Sequence, residues 1–126
     1  MKFSENLKYS REHIWLLADG DRGIVGITDF AQNELNEIVF VELPSVGKSF
    51  NKDEVFGSVE AIKTVSDLFM PVSGTISEVN QALKANPSLV NDEPFDGGWL
   101  IKIRIANPAE LKDLLAADEY QKIVTS

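Results

Sequence analysis

Lys63 is the residue whose surroundings first suggest chemistry. It is the only basic side chain between Lys52 and Lys84, in a stretch that also holds Asp53, Glu54, Glu60, Asp67 and Glu78. A lysine on a stiff turn presents its amine to solvent, where acylation removes the charge and leaves a long flexible tether. Exposed turn lysines are common without any such role, and residue chemistry alone favours that plainer reading. The single histidine, His13, excludes any multi-histidine metal site. Cysteine is absent, which removes disulfides, thiolate metal sites and a cysteine nucleophile; redox chemistry would have to come from a cofactor. Gly23 and Gly26 do not open a helix at phosphate-loop spacing. The adjacent acids Asp53-Glu54 and Asp118-Glu119 read as solvated charge rather than an acid–base pair.

The elements that must position Lys63 follow from periodicity and turn chemistry. The chain has 126 residues, 44% of them hydrophobic and 25% charged, enough for an ordinary globular core. Its net charge of −8 opposes nucleic acid and anionic lipid, so neither is expected as a partner. No apolar run approaches the ~20 residues of a membrane span, and Met1 to Asn6 lacks the apolar core of a signal peptide. A cytoplasmic monomer is the expectation. Ile14-Trp15-Leu16-Leu17 and Gly23 to Ile27 flank the turn signal Asp19-Gly20-Asp21 and predict a hairpin. Thr28 stands at an N-cap position before a short helix carrying Phe30, Ala31 and Leu35 and ending near Asn36.

Ile38 to Leu43 predicts a strand stopped by Pro44. Val55, Gly57, Val59 and Ala61 alternate with Phe56, Ser58, Glu60 and Ile62; with a second extended run from Val65 to Pro71, they predict a hairpin with Lys63 at its tip. Strands follow at Thr75–Val79 and Trp99–Ile105, separated by loops at Asn86-Pro87 and Asp96-Gly97-Gly98. Asn107-Pro108 predicts a capped helix through Leu111, Leu114 and Leu115, restarting near Asp118. Trp15 and Trp99 are expected in the core. Pro44-Ser45-Val46-Gly47 recurs as Pro71-Val72-Ser73-Gly74, a short match that two related β-halves would explain.

Around Lys63, the run Gly57 to Asp67 followed by Pro71-Val72-Ser73-Gly74 resembles the lipoyl-lysine motif of the glycine cleavage system H proteins. Lys8-Tyr9 with His13 and Trp15, Gly26-Ile27-Thr28-Asp29, Val41-Glu42-Leu43-Pro44 with Gly47, and Gly98-Trp99-Leu100 match the family in order. The resemblance covers nearly the whole chain. It implies a mainly β, barrel-sandwich hybrid fold like that of lipoyl domains, with a short helix near 28–36 and a C-terminal helical extension. One carrier domain over 1–126 is expected, with a β core at about 9–106 and helices at about 108–124. Two positions depart from the family: Ile14 stands where it usually has Glu, and Phe30 where Tyr or His is common. Glu12 is the nearest candidate to supply the missing carboxylate.

The resemblance implies a non-catalytic carrier bearing lipoate on Lys63 as N6-lipoyl-lysine. Its cargo would be the aminomethyl group of glycine, taken from a glycine decarboxylase (P protein) and delivered to an aminomethyltransferase (T protein). The reduced arm would then go to dihydrolipoyl dehydrogenase (L protein). Lipoate would be attached by a lipoate ligase or a lipoyl/octanoyl transferase. Glu60, three residues before Lys63, and Gly74, eleven after it, match the family's residues for recognition in lipoylation. Gly74 is expected in a turn conformation closed to other residues. The loaded arm is expected to fold into a cleft lined by Asp67 with His13 and Glu12, shielded from water. For His13, a packed strand residue remains the alternative. A biotin carrier shares the fold but typically flanks its lysine with Met, where this chain has Ile62 and Thr64. A dedicated lipoyl donor to other complexes would use the same arm, and a lapsed, purely interacting member is opposed by Lys63, Glu60 and Gly74.

Overall fold

A computed structural model describes residues 3–125; Met1, Lys2 and Ser126, which fall inside the expected carrier unit, lie outside the described residues. β1 (Lys8–Tyr9) and β2 (Ile14–Asp19) lead into a two-residue turn, from which β3 (Arg22–Ile27) returns with Arg22 opposite Asp19. Gly20 opens that turn at φ +63°, a conformation glycine enters without a Cβ clash. Thr28 caps α1 (Asp29–Leu35) by accepting from the Ala31 amide, as its place before the helix predicts. β4 (Ile38–Glu42) and the short β5 (Ser49–Phe50) precede the hairpin of β6 (Val55–Ala61) and β7 (Val65–Phe69). The chain ends with β8 (Gly74–Val79), α2 (Ala82–Ala85), α3 (Leu89–Asp92), β9 (Ile101–Ile105), a 3-10 helix (Pro108–Asp113) and α4 (Ala117–Thr125).

The strands form two antiparallel sheets, one in the order β1-β2-β3-β9-β8-β5 and one in the order β4-β6-β7. Ile14, Leu16, Val25, Ile101 and Ile103 of the larger sheet meet Ile38, Val41, Val59 and Leu68 of the smaller in one buried cluster. This is the expected mainly β architecture. Side chains alternate across a strand, so Trp15 points away from that cluster into a second one with Leu7, Tyr9, Leu115, Ala117 and Tyr120. Its indole Nε1 donates to the Pro94 carbonyl at 2.9 Å. Both faces are covered over Ile14 to Leu16, so β2 begins as a continuous apolar run, while Leu17 is exposed.

Four expectations are corrected. Strict alternation through 55–62 fails because the β6–β7 register shifts between Val55 and Gly57; this bulge reverses parity, burying Phe56 and exposing Val55. The helix predicted through Leu114 and Leu115 stops at Asp113 as a 3-10 turn, because Leu115 exchanges backbone hydrogen bonds with Tyr9 at 2.7 and 2.8 Å. Between β8 and β9 the chain makes α2 and α3, each too short to show helical periodicity, and β9 starts only at Ile101. Trp99 is half-buried at the surface, with Lys102 Nζ 4.9 Å from its ring.

Gly74 also differs from expectation in its reason. Among the described glycines only Gly20 and Gly47 have positive φ. Gly74 is needed instead for close approach: a Cβ there would lie 2.6 Å from the Arg104 carbonyl oxygen of the neighbouring strand. The two halves of the short repeat therefore differ in backbone at their glycines, although they lead into strands that pair, Phe50 opposite Gly74. Gly74→Ala should force β8 from β9 and lower stability by about 1–3 kcal/mol, read by urea denaturation. An unchanged midpoint would show that the sheet yields without cost.

Candidate functional site

The β6–β7 hairpin closes with the Ala61 amide donating to the Thr64 carbonyl at 2.8 Å, leaving Ile62, Lys63 and Thr64 exposed. Lys63 has no hydrogen-bond or ion-pair partner among the described residues. Glu60, exposed, pairs across the sheet with Val65 on one side and Phe40 on the other. Phe40, Ile62 and Val65 are 55%, 69% and 58% exposed, so the lysine stands in an apolar collar carrying one acid. Gly74 is in the other sheet: β7 runs five residues away from the tip, ~17 Å at strand rise, before the chain turns into β8. Glu60 is thus beside Lys63, and Gly74 reaches it only through the packing of the two sheets.

A cleft of about 390 Å³ lies between the hairpin and α1. Ser66 and Asp67 of β7 form one wall, Phe30 and Glu34 of α1 face them, and Glu12 and His13 close the end ahead of β2. Ile14, Ile27, Val59 and Leu68 supply apolar floor. The structure therefore brings Asp67, His13 and Glu12 together around one cleft, and places Ile14 in its floor. Glu34 was not singled out in the sequence; its signal is helical spacing, four residues after Phe30 on one face. A larger concavity of about 490 Å³ on the outside of the larger sheet holds none of these residues. Of its lining charges, Lys102 pairs with Glu78 at 3.6 Å and Arg104 with Asp21, outside the lining, at 3.9 Å.

Several contacts hold the cleft open in one shape. Asn91 ties α3 to α1 and β4: its Nδ2 donates to Gln32 Oε1 at 3.0 Å and to the Asn36 carbonyl at 2.6 Å, and its Oδ1 accepts from the Ile38 amide at 2.9 Å. His13 has φ +67°. Its amide donates to the Ser10 carbonyl at 3.2 Å and its carbonyl accepts from the Thr28 amide at 3.1 Å. Phe30 lies over the imidazole at a centroid distance of 4.9 Å. Burial lowers the His13 pKa from its ordinary value, against the pull of Glu12 and Glu34, which raise it.

A two-sheet β scaffold offering one free lysine at a hairpin tip, near a sheltering cleft, is that of a carrier domain. The glycine cleavage H-protein family model matches residues 7–126. The glycine cleavage system H protein of Bacteroides fragilis is 49% identical over 126 residues, with 100% of each chain covered. That of Carboxydothermus hydrogenoformans is 51% identical over 120 residues, covering 95% of this chain and 92% of its own. The crystal structure of the H protein from Mycobacterium marinum superposes with a TM-score of 0.88 at 37% identity, covering 95% of this chain and 97% of that one. The chain belongs to the glycine cleavage H-protein family of lipoyl carriers. No helix among the described residues is long and apolar enough to cross a membrane.

The depressed His13 has a stability signature. Above the unfolded pKa of about 6.5 both states are neutral and the group contributes no slope. As pH falls through that value the unfolded chain takes up a proton that the folded protein resists, so stability drops. His13→Asn, which tolerates the left-handed backbone, should lose less stability than wild type between pH 7.5 and 5.5 in urea denaturation. Equal losses would contradict a His13 whose partial burial disfavours the charged form.

Proposed function

We propose that this protein is the lipoyl-bearing carrier of the glycine cleavage system, with lipoate amide-linked to Lys63 Nζ. One observation carries the reading: an unpartnered lysine at a hairpin tip lies four residues, one turn position and the start of β7, from Asp67, a wall of the cleft. Four residues of chain span at most ~13 Å, within the range of an extended lysine and lipoyl chain whose reach is on the order of 10 Å or more. The cleft suits such an arm, because its floor is apolar and its rim carries Glu12, Glu34 and Asp67. When attached, the group supplies a disulfide that accepts the aminomethyl unit and two electrons, and the chemistry belongs to the enzymes it visits.

The chain's own residues bind, orient and shield. Ile14, Ile27, Val59 and Leu68 exclude water from the arm. The carboxylates of Asp67, Glu12 and Glu34 hold a protonated amine by charge-assisted hydrogen bonds. The collar of Phe40, Ile62 and Val65 supplies apolar contact to enzymes that receive the tip, and Glu60 among them is a recognition residue for the lipoate ligase or lipoyl/octanoyl transferase. Gly74 acts in that recognition indirectly, by keeping the sheets in place. The partners are the P, T and L proteins: glycine decarboxylase, aminomethyltransferase and dihydrolipoyl dehydrogenase. Residues 1–126 work as one non-catalytic carrier unit in the cytoplasm.

Intact-mass measurement after incubation with a lipoylating enzyme should show one lipoyl group on the wild type and none on Lys63→Arg, with Glu60→Gln labelled more slowly. Biotin, or a lipoyl group on another lysine, would overturn the reading. The rim is tested by timing ammonia release from the aminomethyl-loaded carrier without the transferase. Asp67 is exposed, so its contact is worth about 1 kcal/mol, and Asp67→Asn should release ammonia about fivefold faster. Ile14→Glu should slow release, while lowering the stability of the unloaded protein, because position 14 is only 1% exposed. Wild-type release from both variants would remove the rim from the account.

A further inference from the structure

The C-terminal helix meets the cleft at His13 through Tyr120, whose ring packs edge-on to the imidazole at a centroid distance of 5.8 Å. Tyr120 is fully buried and stacks on Tyr9 at 4.7 Å with the planes 6° apart, so its ring belongs to the second core cluster. Its hydroxyl leaves that cluster to meet His13 Nδ1 at 2.8 Å and Thr28 Oγ1 at 2.7 Å. Thr28 is 1% exposed and already accepts from the Ala31 amide at 3.2 Å.

We infer that Tyr120 is a positioning residue of the cleft: its hydroxyl, oriented by Thr28, holds the His13 ring as the Nε2–H tautomer with Nδ1 as acceptor. Donor counting fixes the direction of the chain. If Thr28 donates to Tyr120 and Tyr120 donates to Nδ1, every hydroxyl hydrogen is used. In the reverse direction Nδ1–H donates to Tyr120 and Tyr120 to Thr28, leaving the buried Thr28 hydrogen without an acceptor. Buried unpaired donors are strongly disfavoured. A protonated His13 must donate from Nδ1 and would impose that reverse direction, so the hydroxyl chain opposes protonation. The titratable groups facing His13 are Glu12 before β2, Glu34 on α1, Asp67 across the cleft on β7 and Tyr120 on α4, whose own pKa burial pushes up to about 12.

This deepens the carrier reading and rests on it for its purpose. A neutral histidine leaves the three carboxylates free for a cationic cargo, whereas an imidazolium would compete for them. The same hydroxyl joins the N-cap of α1 to the C-terminal helix, so α4 helps set the cleft wall without lining it.

The test uses the unmodified protein, so its outcome is independent of lipoylation and of ammonia retention. Nitrogen-15 NMR of the His13 ring reports tautomer and titration directly. Wild type should show protonated Nε2 and a pKa below the ordinary histidine value. Tyr120→Phe keeps the stacked ring and should give mixed tautomers with the pKa raised by about half a unit or more. Thr28→Ser, which retains the hydroxyl, should behave as wild type; Thr28→Val should release the tautomer preference and serves if Tyr120→Phe fails to fold. A wild-type ring protonated chiefly on Nδ1, or a tautomer and titration unmoved by loss of either hydroxyl, would overturn the assignment.

Discussion

Val59 and Leu68 are 0% and 2% exposed, and as they sink into the core they lock β6 against β7 in a register that pairs Ser58 with Asp67 and Glu60 with Val65. The remaining features of the site depend on that register. It closes the turn under Lys63, and sets Glu60 near the lysine and Asp67 on the exposed face at the border of the cleft. Because the side-chain period of a strand is two, a slip of one residue would bury Asp67 and expose Leu68. Such a slip would bury a charge and expose a core leucine, so the pairing that is most stable also places the functional groups.

From that fixed hairpin the division of labour follows physically. The scaffold has no cysteine, so it could not form stray disulfides with the dithiol of the proposed arm. Its excess of acids suits the cationic cargo proposed for it and keeps a small protein dispersed, while the exposed Phe40, Ile62 and Val65 flank the tip. The cleft is assembled from four separate parts of the chain. Its rigidity therefore comes from cross-links between them, Asn91 on one side of α1 and Thr28 with Tyr120 on the other.

Much of this was legible in the residues. Thr28 announced its helix through cap chemistry, Asp19-Gly20-Asp21 announced a turn, and β-branched runs announced strands. The position of Lys63 was legible, but its meaning came from the residues around it in their family pattern rather than from alternation. The unread parts share a cause: they depend on contacts distant in sequence. The bulge at Val55–Gly57 answers to β7, the loss of helix at Leu115 to Tyr9, and the need for Gly74 to the carbonyl of Arg104. Tyr120, 107 residues from His13, carried no local sign of a role in the cleft.

The central claim is that one arm on Lys63 alternates between solvent and the cleft beside α1. Amide NMR of the aminomethyl-loaded carrier against the same protein with its arm oxidised and free tests this most directly. The account predicts shifts at Glu12, His13, Ala31, Glu34, Ser66 and Asp67, distant in sequence from one another yet gathered around one cleft. Shifts confined to residues 61–65 would mean that the loaded arm stays in solvent, and would contradict it.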